Sequence, residues 1–342
     1  MNATWDGTHT FNLPIISDGI YYVAMLALNV VLLVLNIAGG ITNVINMLVF
    51  IRQGLTSDSI TVSLFAMSVS DLLSSIFMFP WLVCFFMGCV NPSSQRNNYC
   101  NAITSLAASI YHVIFTRVTC FIQTYISVER AFSVVFPLRV KNVIKTRNTV
   151  IINLVLCLVI FAIFAPYLAN IHVVWGYNKF NVSVAAFVEN SEGKIVPSVI
   201  SGFVIPNAAI VVNSLATVVI VYRLSVMRKW RENVSASHYG AQNLKSQGIT
   251  SKNIEASKTV IVITSIYVIN LICNQLHTMF YFTFPEVSQE GLNKNLYFVL
   301  YIFRFILETL HSTTNVVCYL KMSTKYRLVF HAIFSRRQSL IL

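Results

Sequence analysis

The sequence predicts an all-α membrane protein: a seven-transmembrane helix bundle followed by a short amphipathic eighth helix. Two observations support this fold class. Only 11% of the 342 residues are charged, whereas a soluble domain carries about 25%. Four long stretches also contain no charged residue, namely 19–51, 148–178, 195–222 and 259–285. Each exceeds the ~20 apolar residues that cross a bilayer as a helix, so a soluble enzyme and a nucleic-acid-binding protein are excluded despite the net charge of +12.

Three further apolar stretches tolerate a few charged residues inside them, around Asp71, Arg117 and the pair Arg304 and Glu308. Seven spans result in chain order: 20–51, 60–87, 101–129, 148–172, 196–222, 258–283 and 295–320. Their apolar runs favour α-helices over a β-barrel, which needs short alternating segments. Residues 323–334 place aromatic side chains on one helical face and basic groups on the other, which predicts the interfacial eighth helix.

The positions of lysine and arginine predict how the chain threads through the membrane. Basic residues concentrate in loops 52–59, 130–147 and 223–258 and in the tail. The opposite side carries Arg96, Lys179, Lys194 and Lys294. By the positive-inside rule, the N-terminus is extracellular and the C-terminus is cytoplasmic. The predicted organisation is therefore an extracellular segment 1–19, a seven-helix domain 20–320 and a cytoplasmic tail 321–342, in the plasma membrane.

Polar residues recur every three or four positions in several spans, which places them on one helical face. The stripes contain Asn29, Asn36 and Asn43 in span 1; His112, Thr116, Thr119, Gln123, Ser127 and Arg130 in span 3; Tyr267, Asn270, Asn274, His277 and Tyr281 in span 6; and Arg304, Glu308, Ser312, Asn315 and Tyr319 in span 7. They predict a hydrated crevice inside the bundle. Interhelical packing bonds of about 0.6 kcal/mol each are the alternative, but they leave the ionisable residues unexplained.

Several short motifs occur in order at the ends of the predicted spans. Glu129-Arg130-Ala131 ends span 3, with Pro137-Leu138 seven residues after the arginine, and span 7 ends in LHSTTNVVCY, followed by Tyr326-Arg327-Leu328-Val329-Phe330. This set resembles the rhodopsin-like (class A) G-protein-coupled receptors. The short termini and the substituted motif positions are similar to divergent invertebrate chemosensory and neuropeptide receptors. Span 6 departs from that family because it has no proline between Lys258 and Phe284.

The resemblance implies a receptor that passes an extracellular signal, from a chemosensory small molecule or a neuropeptide, to a cytoplasmic heterotrimeric G protein. In that family the arginine at the position of Arg130 is held by carboxylates in the inactive state and meets the G protein in the active state. Glu129 is the neighbouring carboxylate, and Glu255 is the available partner across the bundle. Tyr319 belongs to the same switch. The alternative for Arg130 is a cation that only extends to the membrane interface.

The resemblance also implies an interior polar cluster of Asn43, Asp71, Thr119, Ser312 and Asn315, with Asn46 as an alternative to Asn43. In many members of the family the equivalent cluster holds a sodium ion, and oxygen ligands around a carboxylate suit such a hard cation. A nearby His311 would repel a cation when protonated. A water-filled hydrogen-bond network is the equal alternative. No other cofactor is expected, since span 7 has no lysine between Lys294 and Lys321 that could hold retinal.

Six polar residues in the outer halves of spans 3, 6 and 7 are the candidate ligand crevice: His112, Arg117, Asn274, His277, Arg304 and Glu308. Arg304 and Glu308 are four residues apart and can pair within one helix. Arg117 lies about 100° off the polar stripe of span 3, so it is expected to point toward the neighbouring helices and can reach the crevice edge with its long stem. Two cations and one carboxylate favour a ligand with an acidic group, and a closed structural network is the alternative.

Two cysteines, Cys89 and Cys100, are placed near the extracellular end of span 2 and are predicted to form a local disulfide bond. Sequons at Asn2 and Asn181 lie on the predicted outer side and predict N-glycosylation. A transporter is disfavoured because no internal repeat is visible. A seven-helix channel not coupled to G proteins remains the alternative function. Enzyme activity has no supporting motif.

Overall fold

The computed structural model describes residues 14–55, 58–90, 110–136, 144–169, 171–177, 183–189, 199–236, 244–288 and 291–334. Side chains are described in these ranges except at 90, 171–177, 183–189, 230–236 and 244–256. The helices are α1 (Asp18–Gln53), α2 (Ser59–Val90), α3 (His112–Val135), α4 (Thr146–Ala169), α5 (Ile205–Ala236), α6 (Leu244–Thr283), α7 (Lys294–Met322) and α8 (Thr324–Phe334). The prediction of a seven-helix bundle with an eighth helix is therefore confirmed.

Five of the helices, α1, α2, α4, α5 and α6, are long and apolar enough to cross a membrane by length and composition alone. The other two long helices, α3 and α7, contain Arg117, Arg304 and Glu308, which lower their hydropathy. Helix α3 packs against α2, α4, α5 and α6, while α1 packs against α2, α7 and α8. Helix α3 is therefore one of the two least apolar long helices and also contacts four other helices. This packing shields its polar groups from lipid.

A two-stranded hairpin connects α4 to α5, which the all-helical prediction did not include. Strand β1 (Ile171–Tyr177) pairs antiparallel with β2 (Ser183–Glu189), with Ile171 opposite Glu189. The predicted span 4 was therefore too long, since α4 ends at Ala169 rather than at residue 172. The run Ile-His-Val-Val at 171–174 explains the difference, because its β-branched residues are apolar like a span but favour an extended strand.

The N-terminus of α2 is capped by Asp58. Its Oδ1 accepts the backbone N–H of Thr61 at 3.0 Å, and its Oδ2 accepts the Thr61 hydroxyl at 2.7 Å. This satisfies one of the free amides of the first helical turn. At the preceding helix end, Gly54 has a φ of 86° and its N–H donates to the Ile51 carbonyl, which terminates α1. A short turn thus joins the first two spans.

The start of α5 is shaped by Pro206. A π-helical turn, Ile200–Val204, precedes the helix. Pro206 has no N–H, so it cannot donate to the carbonyl of Gly202 four residues earlier. Gln275 of α6 donates its Nε2 to that carbonyl at 2.9 Å, and its Oε1 accepts Asn207 Nδ2 at 3.1 Å. The proline therefore creates a free acceptor that joins α5 to α6.

Candidate functional site

The outer part of the interior contains a charged cluster centred on Glu308 of α7. Arg304 Nε lies 3.2 Å from Glu308 Oε1, and His112 Nε2 of α3 lies 3.3 Å from Glu308 Oε2. The helical spacing of four residues brings Arg304 onto the carboxylate, as the sequence predicted. The histidine contact crosses from α3 to α7. Both oxygens of Glu308 are therefore occupied, one by each partner.

His112 of α3 contacts both α2 and α7. Its Nδ1 lies 3.1 Å from the Ser74 carbonyl oxygen and 2.8 Å from the Ser74 hydroxyl, while Nε2 lies 3.3 Å from Glu308 Oε2. The carboxylate can only accept, so Nε2 donates to it, whereas the Ser74 hydroxyl can donate to Nδ1 or accept from it. Helix α2, through Ser74, thus orients the ring that joins α3 to α7.

Arg117 lies inside the bundle, in the wall of a cavity that Glu308 and Asn274 also line. The residue is 4% exposed, and its Nε has no hydrogen-bond partner among the described residues. It is buried because α3 is packed on four helices, so most of its circumference faces protein. The two oxygens of Glu308 are contacted by Arg304 and His112. Arg117 lines the same cavity as Glu308 but makes no hydrogen bond to it through Nε.

A cavity of about 30 Å³ lies beside Arg117. Its walls include Arg117, Asn274, Glu308, His311, Asp71 and Thr119. A water molecule needs roughly 10–15 Å³ by this measure, so the cavity has room for about two. The wall joins residues of the candidate ligand crevice to residues of the candidate interior cluster. The two sites that were predicted separately therefore share one space.

The two remaining crevice candidates lie on α6. Asn274 is buried, and its Nδ2 donates to Asn270 Oδ1 at 2.7 Å, which leaves Asn274 Oδ1 without a partner among the described residues. His277 is half-buried, one turn closer to the outer end of α6. The structure therefore places Asn274 on the cavity and His277 above it.

The interior cluster assembles around Asp71 of α2. Thr119 donates its hydroxyl to Asp71 Oδ1 at 2.7 Å, and Ser312 and Asn315 of α7 lie against the same carboxylate. Asn43 of α1 donates its Nδ2 to Ser312 Oγ at 2.8 Å. All five predicted residues are buried and lie together. Four helices, α1, α2, α3 and α7, therefore meet at one carboxylate.

The cluster fits a sodium ion only in part. Carboxylate and hydroxyl oxygens are suitable ligands for a hard cation. However, Thr119 directs its hydroxyl hydrogen at Asp71, and the Ser312 oxygen already accepts a hydrogen bond from Asn43. Arg117 also lies in the wall of the same cavity and supplies a positive charge there. Asp71 Oδ2 has no hydrogen-bond partner among the described residues, so a sodium ion and a water-filled network both stay predictions, and we derive no sodium-dependent step.

A chain of hydrogen bonds continues from the cluster to α8. Asn46 Nδ2 lies 3.5 Å from Asn43 Oδ1, and the Tyr326 hydroxyl donates to Asn46 Oδ1 at 2.6 Å. The Tyr326 ring also lies 5.6 Å from the ring of Phe50 and 5.3 Å from that of Tyr319. Sequence reasoning treated Asn46 as an alternative to Asn43, but the structure uses both. The motif at 326–330 requires only an aromatic ring at position 326. The additional hydroxyl of Tyr326 was therefore the feature of the sequence that could have indicated this hydrogen bond.

Near the C-terminal end of α3, Glu129 and Arg130 have separate environments. Ser59 donates a hydrogen bond to Glu129 Oε1, while Arg130 Nε has no hydrogen-bond partner among the described residues. The side chain of Glu255 lies outside the described residues, so its pairing with Arg130 stays a prediction. Tyr319 is fully buried, with its ring 5.4 Å from that of Phe50. The first residue of α2 therefore holds the carboxylate next to Arg130.

The predicted disulfide bond between Cys89 and Cys100 is wrong, because Cys89 is a free, exposed cysteine. Cys84 is disulfide-bonded instead, and its partner lies outside the described residues. The two positions are five residues apart, which separates them by about 140° around a helix. Cys84 is buried and Cys89 is exposed on α2. Cys100 and the glycosylation candidates Asn2 and Asn181 lie outside the described residues.

The comparisons with known proteins agree with this architecture. The model of one protein family, described as the serpentine type 7TM GPCR chemoreceptor Srw, matches residues 30–337. That range begins within α1 and extends past the end of α8. No curated protein matches the chain.

Proposed function

Since the chain belongs to the serpentine type 7TM GPCR chemoreceptors of the Srw family, we propose that its ligand acts on the charged cluster around Glu308. The protein is a G-protein-coupled receptor, which passes an extracellular signal to a cytoplasmic G protein. A ligand acts in such a receptor by binding one conformation of the bundle better than another. Chemoreception is the function of the family, so a small molecule is the preferred ligand over a neuropeptide.

The observation that carries this proposal is the shared cavity. Arg117, Asn274 and Glu308 line its wall together with Asp71 and Thr119. A group that displaces water there touches the crevice residues and the interior cluster at once. The hydrogen bonds through Asn43 and Asn46 then continue from the cluster towards α8. Coupling between distant sites needs such a connected element with two arrangements.

The charges around the cavity favour a ligand with an acidic group. Arg117 and Arg304 are the two cations of the crevice and Glu308 is its carboxylate, while Asp71 accepts the Thr119 hydroxyl on the cluster side of the cavity. Two cations and one carboxylate leave one positive charge unmatched in the crevice, and a buried unmatched charge is costly. A carboxylate on the ligand supplies the missing charge, and arginine can bind it with two parallel hydrogen bonds. A structural network closed by water is the alternative.

Two variants test these statements once a ligand screen, in cells that express a promiscuous G protein, has found an agonist. Arg130→Ala should abolish agonist-evoked nucleotide exchange while surface expression and agonist binding persist. Normal exchange by that variant would contradict the coupling role of Arg130. Agonist-evoked currents that do not need a G protein would favour the channel alternative.

The acidic-ligand proposal is tested by Arg117→Gln with paired probes, a carboxylic acid agonist and its primary amide. The variant should reduce the potency of the acid more than that of the amide. Arg52→Gln is the matched control, because Arg52 is exposed at the end of α1. Equal losses for acid and amide would point to a structural role.

The finer assignments remain proposals. The motifs around Arg130 and Tyr319 support a rhodopsin-like receptor, and the positive-inside rule supports an extracellular segment 1–19 and a cytoplasmic tail 321–342 in the plasma membrane. Protease treatment of intact cells tests the orientation. An epitope tag at the N-terminus should be cleaved from intact cells, and one at the C-terminus should be protected.

A further inference from the structure

A groove of about 270 Å³ lies between α1 and α2, and none of the residues that line it belongs to the charged cluster. Its rim is formed by Ile37, Ile76 and Phe79, whose side chains are 48%, 53% and 45% exposed. Exposed apolar residues of transmembrane helices face the lipid. The groove lies near the middle of α1, so it opens at about the mid-plane of the bilayer. We call this space the α1–α2 groove.

The groove exists because position 40 has no side chain. A Cβ added at Gly40 would meet no heavy atom within 4 Å. Helical side chains lean towards the N-terminus and cover the turn before them, so a residue at position 40 would cover Asn36. The adjacent Gly39 differs, because a Cβ there would lie 3.2 Å from Thr313 Oγ1. Gly39 therefore serves helix packing, whereas Gly40 leaves Asn36 uncovered.

The floor of the α1–α2 groove contains a polar side chain with an unused acceptor. Asn36 is 4% exposed, and its Nδ2 donates to the Ser75 carbonyl at 3.0 Å. Because that carbonyl can only accept, the bond fixes which end of the amide faces α2. Asn36 Oδ1 has no hydrogen-bond partner among the described residues. An unsatisfied acceptor at this depth is costly, since lipid tails have no donor.

We propose that the α1–α2 groove binds a lipophilic alcohol that enters from the bilayer. The hydroxyl donates to Asn36 Oδ1, and the alkyl chain lies against Ile37, Ile76 and Phe79. An acyl chain has no hydrogen to donate, and a charged amine is too costly at the mid-plane. The groove volume of about 270 Å³ is many times that of the cavity beside Arg117, which has room for about two waters, so the groove has room for the nine non-hydrogen atoms of an octanol. A medium-chain alkanol such as octanol has this size.

The test uses the full-length receptor in phosphatidylcholine vesicles and two probes, an octanol with a photoreactive diazirine on its chain and the diazirine octane without the hydroxyl. The octanol probe should label α1 or α2 peptides that contain Ile37, Ile76 or Phe79, and unlabelled octanol should compete. The octane probe should need an at least about fivefold higher concentration to give the same labelling, because this is the factor in affinity that one hydrogen bond contributes. This comparison needs no variant.

Gly40→Leu fills the α1–α2 groove and should remove the competable labelling. Gly19→Leu is the matched control, because it adds the same side chain to α1 at a glycine whose Cβ would also meet nothing within 4 Å. Its labelling should equal that of the unchanged receptor. Equal labelling by the octanol and octane probes would overturn the proposal, since the groove would then be an acyl-chain contact. Unchanged labelling of a folded Gly40→Leu receptor would overturn it as well.

Discussion

The outer and inner parts of the polar interior stabilise buried polar groups in different ways. In the outer part, Glu308 is contacted by Arg304 and His112, and Arg117 is buried next to a cavity, with no partner for its Nε in the part of the chain that the structure describes. In the inner part, hydroxyl and amide groups surround a single carboxylate, Asp71, and continue as hydrogen bonds towards Tyr326. The outer cluster therefore has unmatched charge and free space, which a ligand can use. The inner network has the connections that a signal needs.

The difference has an energetic consequence. A hydrogen bond between neutral groups inside a membrane protein contributes about 0.6 kcal/mol on average. Removing one partner of a buried ion pair costs about 3–5 kcal/mol, because it leaves the other charge uncompensated. Changes in the outer cluster should therefore affect stability more than changes of similar size in the inner network. The variants below test this order.

The largest effect is expected for Glu308→Gln. It removes the carboxylate that contacts both His112 and Arg304, and the free energy of unfolding should fall by about 3–5 kcal/mol. Thermal unfolding in detergent and surface expression measure the loss. The control is Glu286→Gln at an exposed position, which should stay within about 0.5 kcal/mol of the unchanged receptor. Equal stability of the two variants would contradict the ion cluster.

A second prediction concerns the covalent bond at the outer end of α2. Cys84→Ser should lower stability by about 2–4 kcal/mol, whereas Cys89→Ser should change it little because Cys89 is free. Cys100 is the candidate partner, since it is the remaining cysteine of the chain. Peptide mapping without reduction should recover a Cys84 peptide in disulfide linkage and an alkylated Cys89. The reverse pattern would restore the bond predicted from the sequence.

A third prediction concerns the inner network. Tyr326→Phe keeps the ring contacts with Phe50 and Tyr319 but removes the hydroxyl that donates to Asn46. The buried Asn46 oxygen then loses its donor, at a cost between the average of about 0.6 kcal/mol and the maximum of about 1.7 kcal/mol for such a bond in a membrane protein. Basal nucleotide exchange should change while agonist affinity does not. Tyr222→Phe, at an exposed site of α5, is the control. A shift in agonist affinity without a change in exchange would place Tyr326 outside the coupling network.

The smallest effect is expected at the surface, where Lys325 lies 3.4 Å from Asp58 with both side chains about half exposed. Lys325→Ala should cost less than about 1 kcal/mol, and less at high salt. Burial alone would raise the pKa of Asp58, but the Thr61 hydrogen bonds and Lys325 hold that pKa below its ordinary value. A lowered pKa stabilises the folded state above the ordinary carboxyl pKa, and the contribution is lost as pH falls through the folded value. Unfolding curves between neutral and acidic pH measure it.

The seven spans could be predicted from the sequence because hydropathy is summed over consecutive residues and does not depend on contacts with other helices. The residues around Asp71 were also predictable, since their helical spacing and the family motifs place them on inward faces. The hairpin was missed because residues 171–174 are as apolar as the helix before them. A strand and a short apolar helix segment cannot be distinguished by hydrophobicity alone.

Other features depend on contacts that no local pattern contains. The depth of Arg117 could not be predicted, because helical spacing gives relative angles and does not show how many helices surround α3. Cys89 was chosen over Cys84 because the bounds of α2 and its rotation were unknown. The hydrogen bond between Asn46 and Tyr326 joins residues 280 positions apart. Tertiary packing decides all three.

The most direct test of the shared cavity is a double-mutant cycle between Arg117→Gln and Asp71→Asn, measured as the agonist concentration for half-maximal nucleotide exchange. Both side chains line the cavity, so the two changes should be non-additive by at least about 0.5 kcal/mol. The cycle of Arg52→Gln with Asp71→Asn is the control and should be additive. Additive effects of Arg117→Gln and Asp71→Asn would contradict the account, because the crevice and the interior cluster would then act independently.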